Sequence, residues 1–182
     1  MKRDDKKFLE SDRLLFRALE PTDLERLYEW ENDSSFWNTG NTLAPYSHYA
    51  LKNYIEEAQK GLYECGQLRL MIERKEDGMV VGAMDLYNLE AHIRKAEIGL
   101  FVAPEYQGMG YAKEALKQLQ TYAFRFLRLH QLYAYIAVDN EACVSLHTDC
   151  GFQVSGTLRD WAFGVEEYTD VHVLQIINKG TV

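Results

Sequence analysis

Two glycines separate an apolar run from a long amphipathic stretch in the segment PEYQGMGYAKEAL, residues 104–116. Gly108 and Gly110 follow a predicted strand that ends at Val102 and come directly before a predicted helix. Backbone N–H groups in such a loop, together with the helix N-terminus, favour an anion such as phosphate. Glycine suits the loop because a Cβ atom would hold the anion away from the backbone. A purely structural turn from strand to helix would explain the two glycines equally well.

Two common nucleotide-binding motifs are excluded. The chain has no Gly-x-x-x-x-Gly-Lys-Ser/Thr sequence. A dinucleotide fingerprint fails as well, because the position three residues after Gly110 is Lys113. The anion is therefore not held by either of these motifs.

A second segment, NEACVSLHTDCGF, carries another motif at residues 140–152. The pattern Asn-x-x-Ser/Ala-x-x-Leu-Tyr-x-x-x-Gly-Phe is met at Asn140, Leu146, Gly151 and Phe152, with Cys143 at the small-residue position. In the first segment, Gln107, Gly110 and Ala112 fit the pattern Gln/Arg-x-x-Gly-x-Gly/Ala. The two motifs, in this order, resemble the GNAT acetyltransferases, in the branch of ribosomal-protein N-terminal and spermidine (diamine) N-acetyltransferases. The resemblance covers essentially the whole chain.

The resemblance implies a binding site for acetyl-CoA as cosubstrate. The loop would cradle the pyrophosphate through Gln107, Gly108, Met109, Gly110, Tyr111, Ala112 and Lys113. The preceding strand would offer backbone N–H groups to the thioester carbonyl and the pantetheine at Leu100, Phe101 and Val102. Asn140 and His147 would lie on one helix face, because seven residues are close to two turns, and both could reach the coenzyme. Asn140 could equally be the N-cap of its helix.

Acetyl transfer to an amine requires removal of a proton, because a free alkylammonium titrates near ~10.4. Glu97, on the strand that leads to the loop, is the candidate base or amine-binding carboxylate. The alternative is an exposed strand residue beside Arg94 and Lys95.

The departing thiol needs a proton, which the family commonly supplies from a tyrosine seven residues after the asparagine. This chain has His147 there. An imidazole can donate a proton at neutral pH, so His147 is the candidate acid, with a lower pH optimum expected. The alternatives are Tyr133, Tyr135 or Tyr168, protonation by solvent, or coenzyme binding without catalysis. His147 could also be a helix-surface residue without contacts.

The acceptor is less well defined. Five large aromatic residues could line its pocket or belong to the core: Trp30, Phe36, Trp37, Tyr46 and Trp161. Residues 34–55 contain no carboxylate, although the resemblance implies acidic residues there in the spermidine enzymes. This argues against specificity for polyamines, and the acceptor stays open between a small amine such as a di- or polyamine and a protein N-terminus.

Periodicity and turn residues predict the following elements: a strand at 14–17, a helix to Asn32, a helix at 49–62, three antiparallel strands at 68–74, 79–89 and 95–102, a helix of about five turns at 111–129 with one apolar face, a strand at 132–138 covered on both faces, a helix stopped by Gly151, and two strands joined by a turn at Gly164. The predicted fold class is α+β (mixed α/β), with a central, mostly antiparallel sheet flanked by helices. We expect the sheet to be splayed where the coenzyme enters, between the strand ending at Val102 and the strand at 132–138.

The composition limits the partners. The 182 residues, 47% hydrophobic, suit one domain over 1–182 whose ends could be disordered. A net charge of −8 argues against nucleic acid, and the spacing of three cysteines and five histidines gives little support for a disulfide or a metal. We expect a cytoplasmic enzyme without a membrane segment that could self-associate through its C-terminal strands. The predicted function is acetyl transfer from acetyl-CoA to a primary amine; the alternative is a non-catalytic acyl-CoA-binding or sensing domain.

Overall fold

The computed structural model describes residues 8–37, 44–163 and 167–180, so the predicted turn at Gly164 lies outside the described residues. The helices are α1 (Leu24–Glu31), α2 (His48–Glu57), α3 (Leu62–Cys65), α4 (Tyr111–Thr121) and α5 (Glu141–Asp149). The strands are β1 (Leu14–Ala18), β2 (Leu68–Arg74), β3 (Val80–Glu90), β4 (Lys95–Val102), β5 (Gln131–Ala137), β6 (Gln153–Phe163) and β7 (Tyr168–Ile177). Within the described part of the chain, no helix is long and apolar enough to cross a membrane.

All seven strands join one sheet in the order β1-β2-β3-β4-β5-β7-β6. Every pair is antiparallel except β4–β5, which is parallel. Helices flank the sheet, so the predicted mixed fold with a mostly antiparallel sheet is confirmed.

The parallel pair separates after three rungs, of which Glu97 opposite Tyr133 is the last. Beyond that rung β4 stays paired with β3 as far as Val102, and β5 stays paired with β7 as far as Ala137. The sheet is therefore open between residues 98–102 and 134–137. We call this opening the fork. It confirms the splay that the sequence predicted.

Alternation along the strands divides the apolar residues between two cores. The larger core packs one sheet face against α4 and includes Leu14, Leu116, Leu119 and Leu132. On the other face, α1 and α2 pack against β2 and β3 in a smaller core that includes Leu27, Leu51, Ile55, Met71 and Ala83. Each fully buried side chain of this size contributes about 2 kcal/mol, so both faces of the β1–β4 half are held firmly.

The predicted helix over 111–129 does not remain α-helical. It changes at Thr121 into a π-helical segment, Tyr122–Phe126. A π turn holds one residue more than an α turn, so the positions of the side chains in this segment shift around the helix axis. Phe126, predicted on the apolar face, is accordingly 58% exposed.

The prediction that β5 is covered on both faces is wrong. Leu132, Ala134 and Ile136 are buried on the side of the larger core, whereas Tyr135 on the opposite face is 45% exposed. The reason is that the smaller core lies over β2 and β3 and does not extend to β5. The surface beside the fork is therefore open on one face.

Candidate active site

Backbone amides of β4 line the fork at alternate positions. The N–H of Ala103 donates to the carbonyl of Val81, which places Ala103 on the β3 side. The sides alternate along an antiparallel strand, so Leu100 and Val102 direct their N–H groups into the fork. The predicted role of Phe101 as a backbone donor is revised, because its N–H group points towards β3.

The glycine loop begins just beyond the fork. Gly108 and Gly110 have φ angles of +74° and +82°, in the left-handed region that favours glycine. A Cβ atom at Gly108 would meet no atom within 4 Å, so the loop has open space in front of its backbone. Gly110 is the N-cap of α4 and supplies no side-chain cap, which leaves the first N–H groups of the helix for an anion. These features fit a pyrophosphate.

Two side chains fasten this loop to its surroundings. Gln107 Nε2 donates to the Val102 carbonyl at 3.0 Å. Arg13 Nη1 donates to the Met109 carbonyl at 3.1 Å and its guanidinium pairs with Glu114 at 2.7 Å. Sequence reasoning missed Arg13, because nothing in the sequence links a residue before β1 to the loop.

The first turn of α4 contributes mainly through its backbone. The Tyr111 ring is buried in the larger core, beneath the Arg13 guanidinium at 4.7 Å. The Lys113 ammonium pairs with Asp149 of α5 at 2.7 Å. Ala112, predicted for the pyrophosphate site, lies between them in the same turn. This turn therefore presents N–H groups, while its two long side chains are engaged elsewhere.

The helix that follows β5 begins at the same edge as α4, since parallel strands end at one edge of a sheet. Asn140 is its N-cap: the side-chain Oδ1 accepts from the Cys143 N–H at 3.1 Å. The cap engages only the oxygen of the Asn140 side chain. The two helix N-termini that follow β4 and β5 thus flank the open end of the fork.

His147 is not a surface residue, since it is only 4% exposed. Its Nδ1 lies 2.8 Å from the Cys143 carbonyl, and a carbonyl only accepts, so Nδ1 carries the proton. The ring also meets Phe152 edge-on. Burial lowers the pKa of His147, and the hydrogen bond to Cys143 opposes this shift only in part. At neutral pH the ring is therefore neutral, and Nε2 holds no proton to donate.

Glu97 is a buried carboxylate at the point where the fork opens, 8% exposed. Oε1 accepts from the Tyr87 hydroxyl and Oε2 from Asn88 Nδ2, each at 2.9 Å. The alternative, an exposed residue beside Arg94 and Lys95, is wrong because Glu97 is buried. Lys95 pairs instead with Glu90 at 2.8 Å. Two neutral donors hold the carboxylate in place, and each oxygen keeps further capacity to accept.

Tyr133 lies opposite Glu97 on the last rung. Burial is the main cause that raises the pKa of Tyr133 to about 12, and the negative charge of Glu97 adds to it. The Lys95 ammonium lies 5.7 Å from the Tyr133 ring centroid. Tyr133 therefore stays protonated at physiological pH.

An ionic cluster lies on the same sheet face, between β2, β3 and the ends of the covering helices. Arg69 binds both carboxylate oxygens of Asp85, at 2.8 and 3.1 Å, and reaches Glu31 at 2.6 Å. Its guanidinium also lies 5.3 Å from the centroid of the Tyr54 ring. Sequence reasoning missed this cluster because its members come from four separate elements.

Only part of the predicted aromatic set gathers near the site. Trp30 and Phe36 pack against Phe101, at 5.0 and 5.2 Å between ring centroids. Phe101 and Glu97 share a sheet face, because they are four residues apart on one strand. Trp161 instead stacks with Tyr135 on the open face and is 61% exposed.

The other two predicted aromatic residues do not join this cluster. The indole N–H of Trp37 donates to the Glu31 carbonyl at 3.0 Å. Tyr46 is 42% exposed, and its backbone N–H donates to Asn32 Oδ1.

Comparisons with known proteins agree with this geometry. The family model "Acetyltransferase (GNAT) domain" matches residues 13–153. The chain belongs to the GNAT acetyltransferase family. It is 29% identical to spermidine N(1)-acetyltransferase of Vibrio cholerae, covering 92% of this chain and 94% of that protein. It is 34% identical to the putative ribosomal N-acetyltransferase YdaF of Bacillus subtilis, covering 82% and 83%.

A solved structure of spermidine N-acetyltransferase from Vibrio cholerae in complex with CoA and spermine has a TM-score of 0.83 at 28% identity, over 92% of this chain and 96% of that one. The enzyme from Vibrio cholerae has also been solved as a dodecamer. The chain is thus an acetyl-CoA-dependent N-acetyltransferase that transfers acetyl to an amine, and the non-catalytic alternative is not favoured.

Proposed function

We propose that Glu97 binds the acceptor amine and takes its proton, and that acetyl-CoA lies in the fork with its pyrophosphate at the loop 107–112. The observation that carries this proposal is the position of a buried carboxylate on the last rung before the fork opens. A base must lie where the amine meets the thioester, and the fork offers that place together with free backbone donors.

The chemistry begins when Glu97 accepts a proton from the acceptor ammonium. The nitrogen lone pair then attacks the thioester carbonyl carbon, and a C–N bond forms. The N–H of Leu100 points into the fork and supports the oxyanion, a contribution on the order of 3 kcal/mol for one such donor. The C–S bond breaks, the nitrogen loses its second proton to solvent, and the thiolate takes up one proton to leave as the thiol.

We assign the proton for the thiolate to His147, on a condition that its burial sets. The neutral ring carries its proton on Nδ1, in the bond to Cys143. Donation from Nε2 therefore requires the imidazolium, which is favoured only as the pH falls below the ordinary value of about 6.5. At higher pH, solvent or Tyr133 would have to replace it.

The acceptor reaction is tested by release of CoA thiol from acetyl-CoA with a panel of primary amines. The panel contains monoamines, diamines, polyamines and peptides with a free N-terminus. We expect turnover above the hydrolysis background with at least one of them, and loss of this turnover in Glu97→Gln. Full turnover in a folded Glu97→Gln variant would contradict the assignment of Glu97.

We further propose that the chain self-associates through β6. This strand is one edge of the sheet, nine of its eleven residues are exposed and none is buried, and Trp161 and Phe163 are 61% and 62% exposed. An exposed edge strand offers unpaired backbone groups to another chain, and a related enzyme has been solved as a dodecamer. The cytoplasmic location stays a prediction, to be checked by cell fractionation.

A further inference from the structure

The ionic cluster beside Glu97 bears on the kind of amine that the site accepts. Arg69 and Asp85 are register partners on β2 and β3, and Asp85 faces Gly99 across the β3–β4 pair. Gly99 is two residues from Glu97 on β4, so Asp85 and Glu97 are diagonal neighbours on one face of the sheet. The backbone positions of such neighbours are about 7–8 Å apart. Asp85 is thus the carboxylate placed to receive a second cationic group of an acceptor bound at Glu97.

Arg69 prevents that use of Asp85. Its forked contact occupies both oxygens of Asp85, with Nε on one and Nη2 on the other. A bidentate guanidinium contact is strong and geometrically specific. The third nitrogen of the guanidinium, Nη1, donates to Glu31 Oε1, and the Tyr54 ring packs beside the guanidinium. The position of the Arg69 side chain is therefore fixed from two further sides. Both oxygens of the carboxylate next to Glu97 are therefore already occupied.

The opposite side of Glu97 also carries a cation. Lys95 is two residues away on the same strand and face, above the Tyr133 ring and paired with Glu90. Within the described residues, Glu97 itself has only neutral donors. Among the described residues of this face, Glu97 is therefore a carboxylate without a cationic partner at the fork, and the cation on each side of it is already paired with other carboxylates.

We infer that the acceptor site selects a primary amine without a second ammonium near the reacting nitrogen, and that Arg69 sets this selectivity by masking Asp85. This inference rests on the proposed role of Glu97 in binding the amine. A second ammonium in reach of Arg69 would lose its water without gaining a carboxylate. A neutral chain would not meet this cost.

A matched pair of acceptors tests the inference in the wild-type chain. Pentylamine and putrescine have the same length and differ by a methyl group against an ammonium. We expect kcat/KM for pentylamine to equal or exceed that for putrescine. A preference of the wild type for putrescine by about tenfold or more would overturn the inference, and tenfold corresponds to about 1.4 kcal/mol.

Variants at Arg69 locate the cause. Arg69→Gln should raise the putrescine-to-pentylamine ratio of kcat/KM by about tenfold, because Asp85 becomes available to the second ammonium. The double variant Arg69→Gln with Asp85→Asn should lose that gain, and Arg69→Lys, which keeps the charge, should show much less of it. An unchanged ratio in a folded Arg69→Gln variant would contradict the role of Arg69.

Folding is checked by thermal melting of each variant, because removing a partner from an ion cluster destabilises the chain. If Arg69→Gln does not fold, the wild-type ratio still decides the inference. Failure of the proposed function has a different signature: neither amine would be acetylated, or Glu97→Gln would keep full activity.

Discussion

The hydroxyl of Tyr87 donates a 2.9 Å hydrogen bond to Oε1 of Glu97, its direct partner across β3 and β4. Burial raises the pKa of Tyr87 above its ordinary value, and the negative charge of Glu97 raises it further. The hydroxyl therefore stays protonated and continues to donate throughout the physiological range. The carboxylate that we propose as the base is thus held by a donor that stays protonated.

Replacement of Glu97 tests its proposed role as the base that takes the proton of the acceptor amine. Glu97→Gln keeps the size of the side chain and removes the proton acceptor, so we expect kcat/KM to fall by about 10²–10⁴. The measurement is thiol release at saturating acetyl-CoA, together with coenzyme affinity, which should hardly change. Glu90→Gln is the matched control, because Glu90 is a carboxylate near the same rung that pairs with Lys95. Equal losses in the two variants would indicate a general charge effect.

The loop prediction concerns the coenzyme alone. Gly110→Val should weaken binding of CoA, because the side chain intrudes at the helix N-terminus and the φ of +82° disfavours a β-branched residue. Binding is measured by calorimetry and folding by thermal melting. Gly156→Val is the control, since a Cβ atom there meets nothing within 4 Å. Unaltered affinity in a folded Gly110→Val variant would remove the pyrophosphate assignment.

The sequence was sufficient for features encoded in one contiguous segment. The strand, loop and helix around Gly108 and Gly110 are adjacent in the chain, so composition and spacing locate them directly. The partner of Glu97 was also within reach, because a hairpin with its turn near residue 92 places Tyr87 opposite Glu97. Counting strand register from the turn would have found it.

Contacts between distant segments could not be predicted in this way. Arg13 reaches Met109 across 96 positions, and Arg69 reaches Glu31 across 38. No local pattern records such a pairing, since each residue alone resembles an ordinary surface charge. The π-helical segment after Thr121 was missed for a related reason: its sequence keeps the apolar spacing of an α-helix.

Self-association is tested at the exposed edge strand. Trp161→Glu adds a charge to the open aromatic face and should shift the chain towards smaller species, measured by size-exclusion chromatography with light scattering. Tyr49→Glu on α2 is the control, because Tyr49 is also highly exposed, at 75%. A wild-type chain that is monomeric at all concentrations would contradict the proposal.

His147→Phe tests the acid. The aromatic edge against Phe152 is kept and the ring nitrogens are lost, so at acid pH kcat should fall by about 10²-fold while acetyl-CoA affinity changes little. Because burial lowers the pKa of His147, its contribution should be largest on the acid side of the pH–rate profile. The wild-type and variant rates should converge as the pH rises. Equal rates below pH ~6.5 would exclude His147 and favour solvent or Tyr133.

The same burial makes a prediction for stability. In the unfolded chain His147 titrates near its ordinary value of about 6.5, whereas in the fold its pKa is lower. Above that value both states are neutral at this position and the fold keeps its full stability. As the pH falls below it, the unfolded chain binds a proton first, so the free energy of unfolding decreases until the folded pKa is reached.

His147→Gln isolates this effect, because glutamine can still donate to the Cys143 carbonyl but does not titrate. Urea unfolding between pH 8 and about pH 5 should show a smaller loss of stability in the variant than in the wild type. His92→Gln, in an exposed turn, is the control and should keep the wild-type slope. If the slopes of wild type and His147→Gln were the same, the pKa of His147 would be equal in the folded and the unfolded chain, and burial would not lower it. The imidazolium would then form from about pH 6.5 downwards, so His147 could donate a proton at a higher pH than its burial implies.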